Sequence, residues 1–192
     1  MNTDSADSTK ELLRSIGLPD DLLESLLDEN DWSFIIKLHA LFEAVLASAI
    51  VKKLNAPSIE EAVSQLDFSG AKCGKVTFAQ SLQVIGAREA SFLRGLSELR
   101  NRLVHNVRNV SFSIKEYVEA LDANQRKAFR KQFGHALLGL ENGEADFQRC
   151  LAAYPRLIVY FAAWSCLLSV EFNLSERRMN MLIELLRESA EG

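Results

Sequence analysis

Turn-forming residues are scarce, with 9 glycines and 3 prolines in 192 residues. A sandwich or barrel of many short strands needs turn signals at short, regular intervals, so that class is excluded and a helical chain is the first expectation. Cysteine is scarce too. Cys73, Cys150 and Cys166 are odd in number and widely spaced, without the paired spacing of a zinc site or a small disulfide scaffold. They read as reduced thiols of a cytoplasmic protein. Positive charge is in deficit, with 22 Lys and Arg against 26 Asp and Glu for a net charge of −4. Coating a nucleic acid through bulk charge is thereby excluded, and any such contact needs a local patch. The opening MNTDSADSTK has neither the basic start nor the apolar run of a secretory signal. The longest uncharged apolar stretch, Leu157 to Val170, is 14 residues between Arg156 and Glu171. That length suits a buried helix better than a membrane span, so no membrane partner is expected.

Hydrophobic residues make up 48% of the chain and charged residues 25%, an ordinary globular composition. The length fits one domain, with or without an extra arm. Two short helices are expected near 9–16 and 20–29, divided by Gly17 and Pro19. A long helix from about Asp31 to Leu54 follows, with Phe34, Leu38, Leu41, Val45 and Ala49 on a wide apolar face. Ser58 and Glu61 have capping-box spacing, as do Ser113 and Glu116. Further helices are expected at about 71–85, closed by Gly86, at 88–106, and from Ser113 through Leu121. A basic amphipathic helix follows at 123–138, then one at 144–173 interrupted near Pro155, and a last one at 175–189. The expected fold is an all-α bundle. Residues 1–30 form an N-terminal helical arm, 31–122 the core, and 123–192 C-terminal helices packed on that core.

Helix 88–106 has the most unusual polar content. Turned at about 100° per residue, it sets Arg94, Glu98, Asn101 and His105 along one polar strip. Arg100 falls on the flank of the apolar stripe, where a guanidinium loses hydration and asks for an anion or carboxylate partner. Between 88 and 108 there are five arginines against Glu89 and Glu98, a plausible phosphate footprint in an acidic chain. By spacing alone this is first a helix cap, since cations and amides near a C-terminus meet the dipole and the loose carbonyls.

The wording of the segment adds to its spacing. Leu96-Ser97-Glu98-Leu99-Arg100-Asn101-Arg102-Leu103-Val104-His105-Asn106 resembles the signature of the HEPN superfamily, an arginine followed four to six residues later by histidine. The resemblance spans about Asp31 to Leu121. It takes in Leu41-Phe42-Glu43-Ala44-Val45 of the long helix, Asp67-Phe68-Ser69, and Phe112 with its capped helix. The helix order is especially similar to the mannitol operon repressor branch.

The resemblance implies a HEPN-like bundle and a metal-independent ribonuclease of toxin or defence type, acting on RNA as a homodimer with no cofactor and no metal. Arg100 and His105 are the implied catalytic pair, with Asn101 and Glu43 supporting them and Arg94, Arg102 and Arg108 as RNA-binding candidates. An antitoxin or a regulatory protein is the implied macromolecular partner. The chemistry suits these residues, because histidine moves protons near neutral pH and arginine holds a phosphate bidentately. On one ideal helix Arg100 and His105 point about 140° apart, so two copies or a distorted helix end are needed to aim both at one phosphate. Glu43 is expected to orient His105 or hold Arg100, or to form an ordinary ion pair. The Arg126, Lys127, Arg130, Lys131 face reads as an RNA guide or a solvated helix surface. The runner-up is a non-catalytic interaction or regulatory module of the mannitol operon repressor type. A DNA-binding regulator is weaker still, because no basic recognition helix stands out.

Overall fold

The computed structural model describes residues 3–105 and 110–191, with side chains for residues 7, 9–105 and 110–176. Among the described residues the chain is all helical, as the scarcity of turn formers requires. The helices are α1 (Thr3–Ser15), α2 (Leu22–Ser25), α3 (Asp31–Leu54), α4 (Glu60–Ser64), α5 (Lys75–Ser81), α6 (Ala87–Val104), α7 (Ile114–Glu119), α8 (Ala123–Phe133), α9 (His135–Leu138), α10 (Gly143–Ala153) and α11 (Pro155–Glu191).

The long central helix α3 has the expected bounds, and its ends explain why. Asn30 caps it by accepting a hydrogen bond from the Ser33 amide at 2.9 Å. Asn55 closes it in the left-handed region at φ 50°, and Pro57 follows. Phe34, Ile35, Leu38, Phe42, Val45, Leu46 and Ile50 are wholly buried. Phe42 meets Phe92 of α6 edge-on at 5.4 Å between centroids, and Phe92 meets Phe133 of α8 at 5.9 Å. The core is one continuous cluster. Leu12 and Leu13 of α1, with Leu23 and Leu26 beyond it, belong to that cluster together with Ile158, Val159, Ala162 and Leu167 of α11. A polar junction ties the same parts together. The Arg156 Nη1 donates to the Leu27 carbonyl at 2.9 Å, and its guanidinium pairs with Asp31, whose other oxygen accepts from the Ile114 amide at 2.7 Å.

Two helices, Asp31–Leu54 and Pro155–Glu176, are long and apolar enough to cross a membrane by length and composition. Both run through the centre of the bundle, and their apolar side chains are largely covered by neighbouring helices.

Several expected boundaries are corrected. The helix expected at 71–85 shrinks to α5, because residues 67–74 wind into a loop. In that loop the Lys75 amide donates to the Asp67 carbonyl at 2.8 Å, the Val76 amide to Phe68 at 3.0 Å and the Gly74 amide to Gly70 at 3.0 Å. Gly74 has to be glycine, since a Cβ there would overlap the Gly70 backbone. Ser58 makes no side-chain cap. A short 3-10 turn at Pro57–Ile59 leaves Ile59 at the start of α4. Ser113 does cap α7, accepting from the Glu116 amide at 3.3 Å. The basic helix expected to reach 138 ends at Phe133, with Gly134 between α8 and α9. The interruption expected near Pro155 is present: α10 ends at Ala153 and Pro155 opens α11, where its missing N–H costs nothing. The break expected near 174 is absent. Asn173 donates to the Val84 carbonyl at 2.9 Å and Ser175 to the Glu171 carboxylate at 2.8 Å, so both side chains are satisfied without leaving the helix.

Candidate functional site around Glu43 and Arg100

The site is built where α3, the 67–74 loop with α5, and the last turns of α6 meet. Lys75, the first residue of α5, is only 1% exposed. A buried ammonium is costly unless all of its protons find acceptors. Here its Nζ donates to the Ser64 carbonyl at 2.8 Å, the Leu66 carbonyl at 2.9 Å and Glu43 Oε1 at 3.2 Å. The three donors therefore meet three acceptors, which fastens the loop to α3.

Glu43, whose side chain is 46% exposed, has His39 on its other side, with Oε2 at 4.0 Å from Nδ1. His39 is nearly buried, and its ring lies against Phe68 at 4.3 Å between centroids. Burial holds the His39 pKa below the ordinary histidine value. Glu43 opposes that shift, and the positive charges of Arg100 and Lys75 reinforce it. His39 is thus a neutral ring behind the Glu43 carboxylate at neutral pH.

Arg100 is half-buried, as its expected place on the flank of the apolar stripe of α6 requires, and its charge acts on His39 of α3. Its Nη1 donates to Asn101 Oδ1 at 3.1 Å. Among the described residues no carboxylate lies within 4 Å of its guanidinium. Glu43, whose charge acts on His39 as that of Arg100 does, has one oxygen held by Lys75. The structure therefore gathers Glu43, His39, Lys75 and Arg100, with Asn101 at the edge. Sequence reasoning missed His39 and Lys75 as members. The four-residue spacing of His39 and Glu43 was a visible signal for one; nothing local marks Lys75, whose partners lie nine to thirty-two residues away.

His105 is not brought to this group. It is the exposed cap of α6, and its φ of −76° and ψ of −7° keep it right-handed. The helix end is not distorted as far as His105, so the divergence from Arg100 stands. Arg94 is half-buried and reaches α5 through long contacts to Thr77 Oγ1 at 3.5 Å and Gln80 Oε1 at 3.4 Å. Arg102 is exposed and lies over the Tyr117 ring at 5.3 Å. Arg108 lies outside the described residues. Among the described residues no group of three or more His, Cys, Asp or Glu side chains has metal-site geometry. Cys73 of the 67–74 loop is exposed, Cys150 half-buried and Cys166 fully buried, with burial pushing the Cys166 thiol well up.

The chain matches no family model, no curated protein and no solved structure.

Proposed function

We propose that the chain is a HEPN-type RNA-binding domain that cleaves RNA without a metal, as a two-fold homodimer. The observation that carries this reading is Arg100, a half-buried guanidinium whose nearby carboxylate is already engaged by a buried lysine. A guanidinium in that state is an acceptor-seeking fork suited to a phosphate. In the reaction the ribose 2′-oxygen attacks the adjacent phosphorus and the bond to O5′ breaks. The products are a 2′,3′-cyclic phosphate and a 5′-hydroxyl. Arg100 holds the non-bridging oxygens as charge develops, one His105 takes the 2′-proton, and His105 of the other copy gives a proton to O5′. Two copies are needed because the pair diverges on α6, and the exposed Val104 and Val110 beside the motif supply apolar surface for a two-fold contact. An antitoxin or other regulatory protein would then cover the same face.

The second reading, a non-catalytic regulatory module in which these residues only brace the bundle, is favoured by that same divergence within one copy. A cleavage assay on labelled RNA separates the two. His105→Ala is expected to lower cleavage by about 10²–10⁴ with the fold intact and RNA binding kept, whereas Arg100→Ala weakens binding and cleavage together. Activity is expected to persist in EDTA. Wild-type protein that cleaves no RNA and scatters light as a monomer overturns the enzymatic reading, and cleavage that survives His105→Ala assigns it elsewhere.

A further inference from the structure

We propose that a second, separate site lies where the start of α6 meets α8 and α9, and that it takes a small phosphorylated molecule of the mononucleotide class. The place is a concavity of about 490 Å³, lined by Arg88 of α6, Lys127, Arg130 and Lys131 of α8, and His135 and Leu138 of α9. Its volume falls in the range of small-molecule sites, and its lining is dominated by the four cations, with Leu138 and Gly139 as its apolar part.

Close packing of α8 on α6 forms it. Gly95 lets the Gln132 side chain approach so nearly that a Cβ there would sit 2.8 Å from the Gln132 amide carbon. Gln132 in turn donates to Glu98 at 3.2 Å. The basic face of α8 is thereby brought beside Arg88, thirty-nine residues away from Lys127 in sequence.

The charges around the rim are not equivalent. Arg130 is spent, held by a bidentate pair with Glu144 at 2.7 and 2.5 Å and lying over the Phe147 ring at 5.4 Å. It makes a fixed wall. Among the described residues no carboxylate lies within ion-pair distance of Arg88, Lys127 or Lys131. Three uncompensated cations thus surround one hollow, and Lys127 and Lys131 stand four residues apart, where like charges destabilise a helix. An anion in the hollow relieves that repulsion. His135 forms the back wall, packed against Phe92 at 6.1 Å between centroids. Burial keeps its pKa below the ordinary value, so the wall is neutral at neutral pH. The phosphates would meet Arg88, Lys127 and Lys131, and a flat base would lie on Leu138 and the lysine stems.

A small ligand fits better than an RNA strand. Glu144 stands at Arg130, Glu141 follows Gly139, and Glu89 follows Arg88 closely enough for its charge to act on His135. A polyanion leaving the hollow in these directions meets carboxylates, whereas a mononucleotide ends inside. The site also lies on the α8 flank of α6, apart from Arg100, whose charge acts on His39 of α3, so it stands or falls independently of the ribonuclease reading.

The test is calorimetric titration of the full chain with ATP and, separately, with a short oligouridylate, using wild type, Lys127→Gln/Lys131→Gln and Arg88→Gln. These side chains are exposed or lie on the rim, and circular dichroism checks that each variant is folded. Saturable ATP binding to wild type, weakened about tenfold or more in both variants and unchanged in His105→Ala, is the expected result. No saturable ATP binding to wild type, equal ATP affinity in the variants, or oligouridylate binding at this face that ATP does not displace would each overturn the proposal.

Discussion

Removing Glu43 is expected to cost more stability than removing Lys75, although Lys75 is the buried partner. Glu43→Ala leaves an ammonium that is 1% exposed with only the Ser64 and Leu66 carbonyls for company. An uncompensated buried charge is the expensive result of breaking such a pair, about 3–5 kcal/mol when both partners are deep. The two remaining carbonyls and the 46% exposure of the Glu43 side chain bring the expectation to about 2–3 kcal/mol. Lys75→Met instead leaves a half-exposed carboxylate that turns to water at little cost. Its penalty is the loss of a donor to two carbonyls, about 1–3 kcal/mol for each one that stays dry. The ammonium's own desolvation disappears and offsets part of that, giving a net of about 1–2 kcal/mol. The double variant should cost less than the sum of the singles by about 1–2 kcal/mol, as expected for residues in direct contact. Urea denaturation at pH 7, followed by the fluorescence of Trp32 and Trp164, measures all three. A Lys75→Met penalty equal to or above that of Glu43→Ala, or strictly additive penalties, would refute the reasoning. The same variants bear on function. With Lys75 gone, Glu43 is released toward Arg100, so RNA affinity should fall in Lys75→Met and recover in Lys75→Met/Glu43→Gln.

Stability should fall in two stages on acidification. Burial holds His39 and His135 below the ordinary 6.5, so their contribution is present above that pH and is lost as pH falls through their lower folded values. The Arg130 pair holds Glu144 at about 2 against an ordinary 4.5, so its contribution is lost between those values; melting curves against pH, with Glu144→Gln removing the second stage and added salt weakening it, check both. Asp122 caps α8 through the amides of Asn124 and Gln125, both at 2.8 Å, and Asp122→Ala should cost about 1 kcal/mol in urea unfolding. Gly74→Ala forces a Cβ into the Gly70 backbone and is expected to cost at least about 2 kcal/mol, with a loss of RNA affinity as the Lys75 anchor shifts; a wild-type melting temperature would refute the packing argument for that loop.

The sequence by itself determined the all-helical class, the bounds of α3 and, to within two residues, those of α6. Apolar spacing and end residues such as Asn55 and Gly86 act within a turn or two of the chain, so the information for these helices is local. It also showed that Arg100 and His105 diverge, because five residues of helix fix that angle whatever surrounds them. Tertiary structure decided the rest. Residues 71–74 left the helix because Lys75 has its acceptors on the 64–66 segment and on α3. Residues 173–175 stayed helical because Val84, from a distant turn, accepts from Asn173. Glu43 was read as a partner for Arg100 or His105, but it is held by a lysine thirty-two residues on. The basic face of α8 was equally a solvated surface until packing at Gly95 set it beside Arg88. In each case the deciding interaction joins residues that only the folded chain brings together, and a one-dimensional pattern carries no signal for the distance between them.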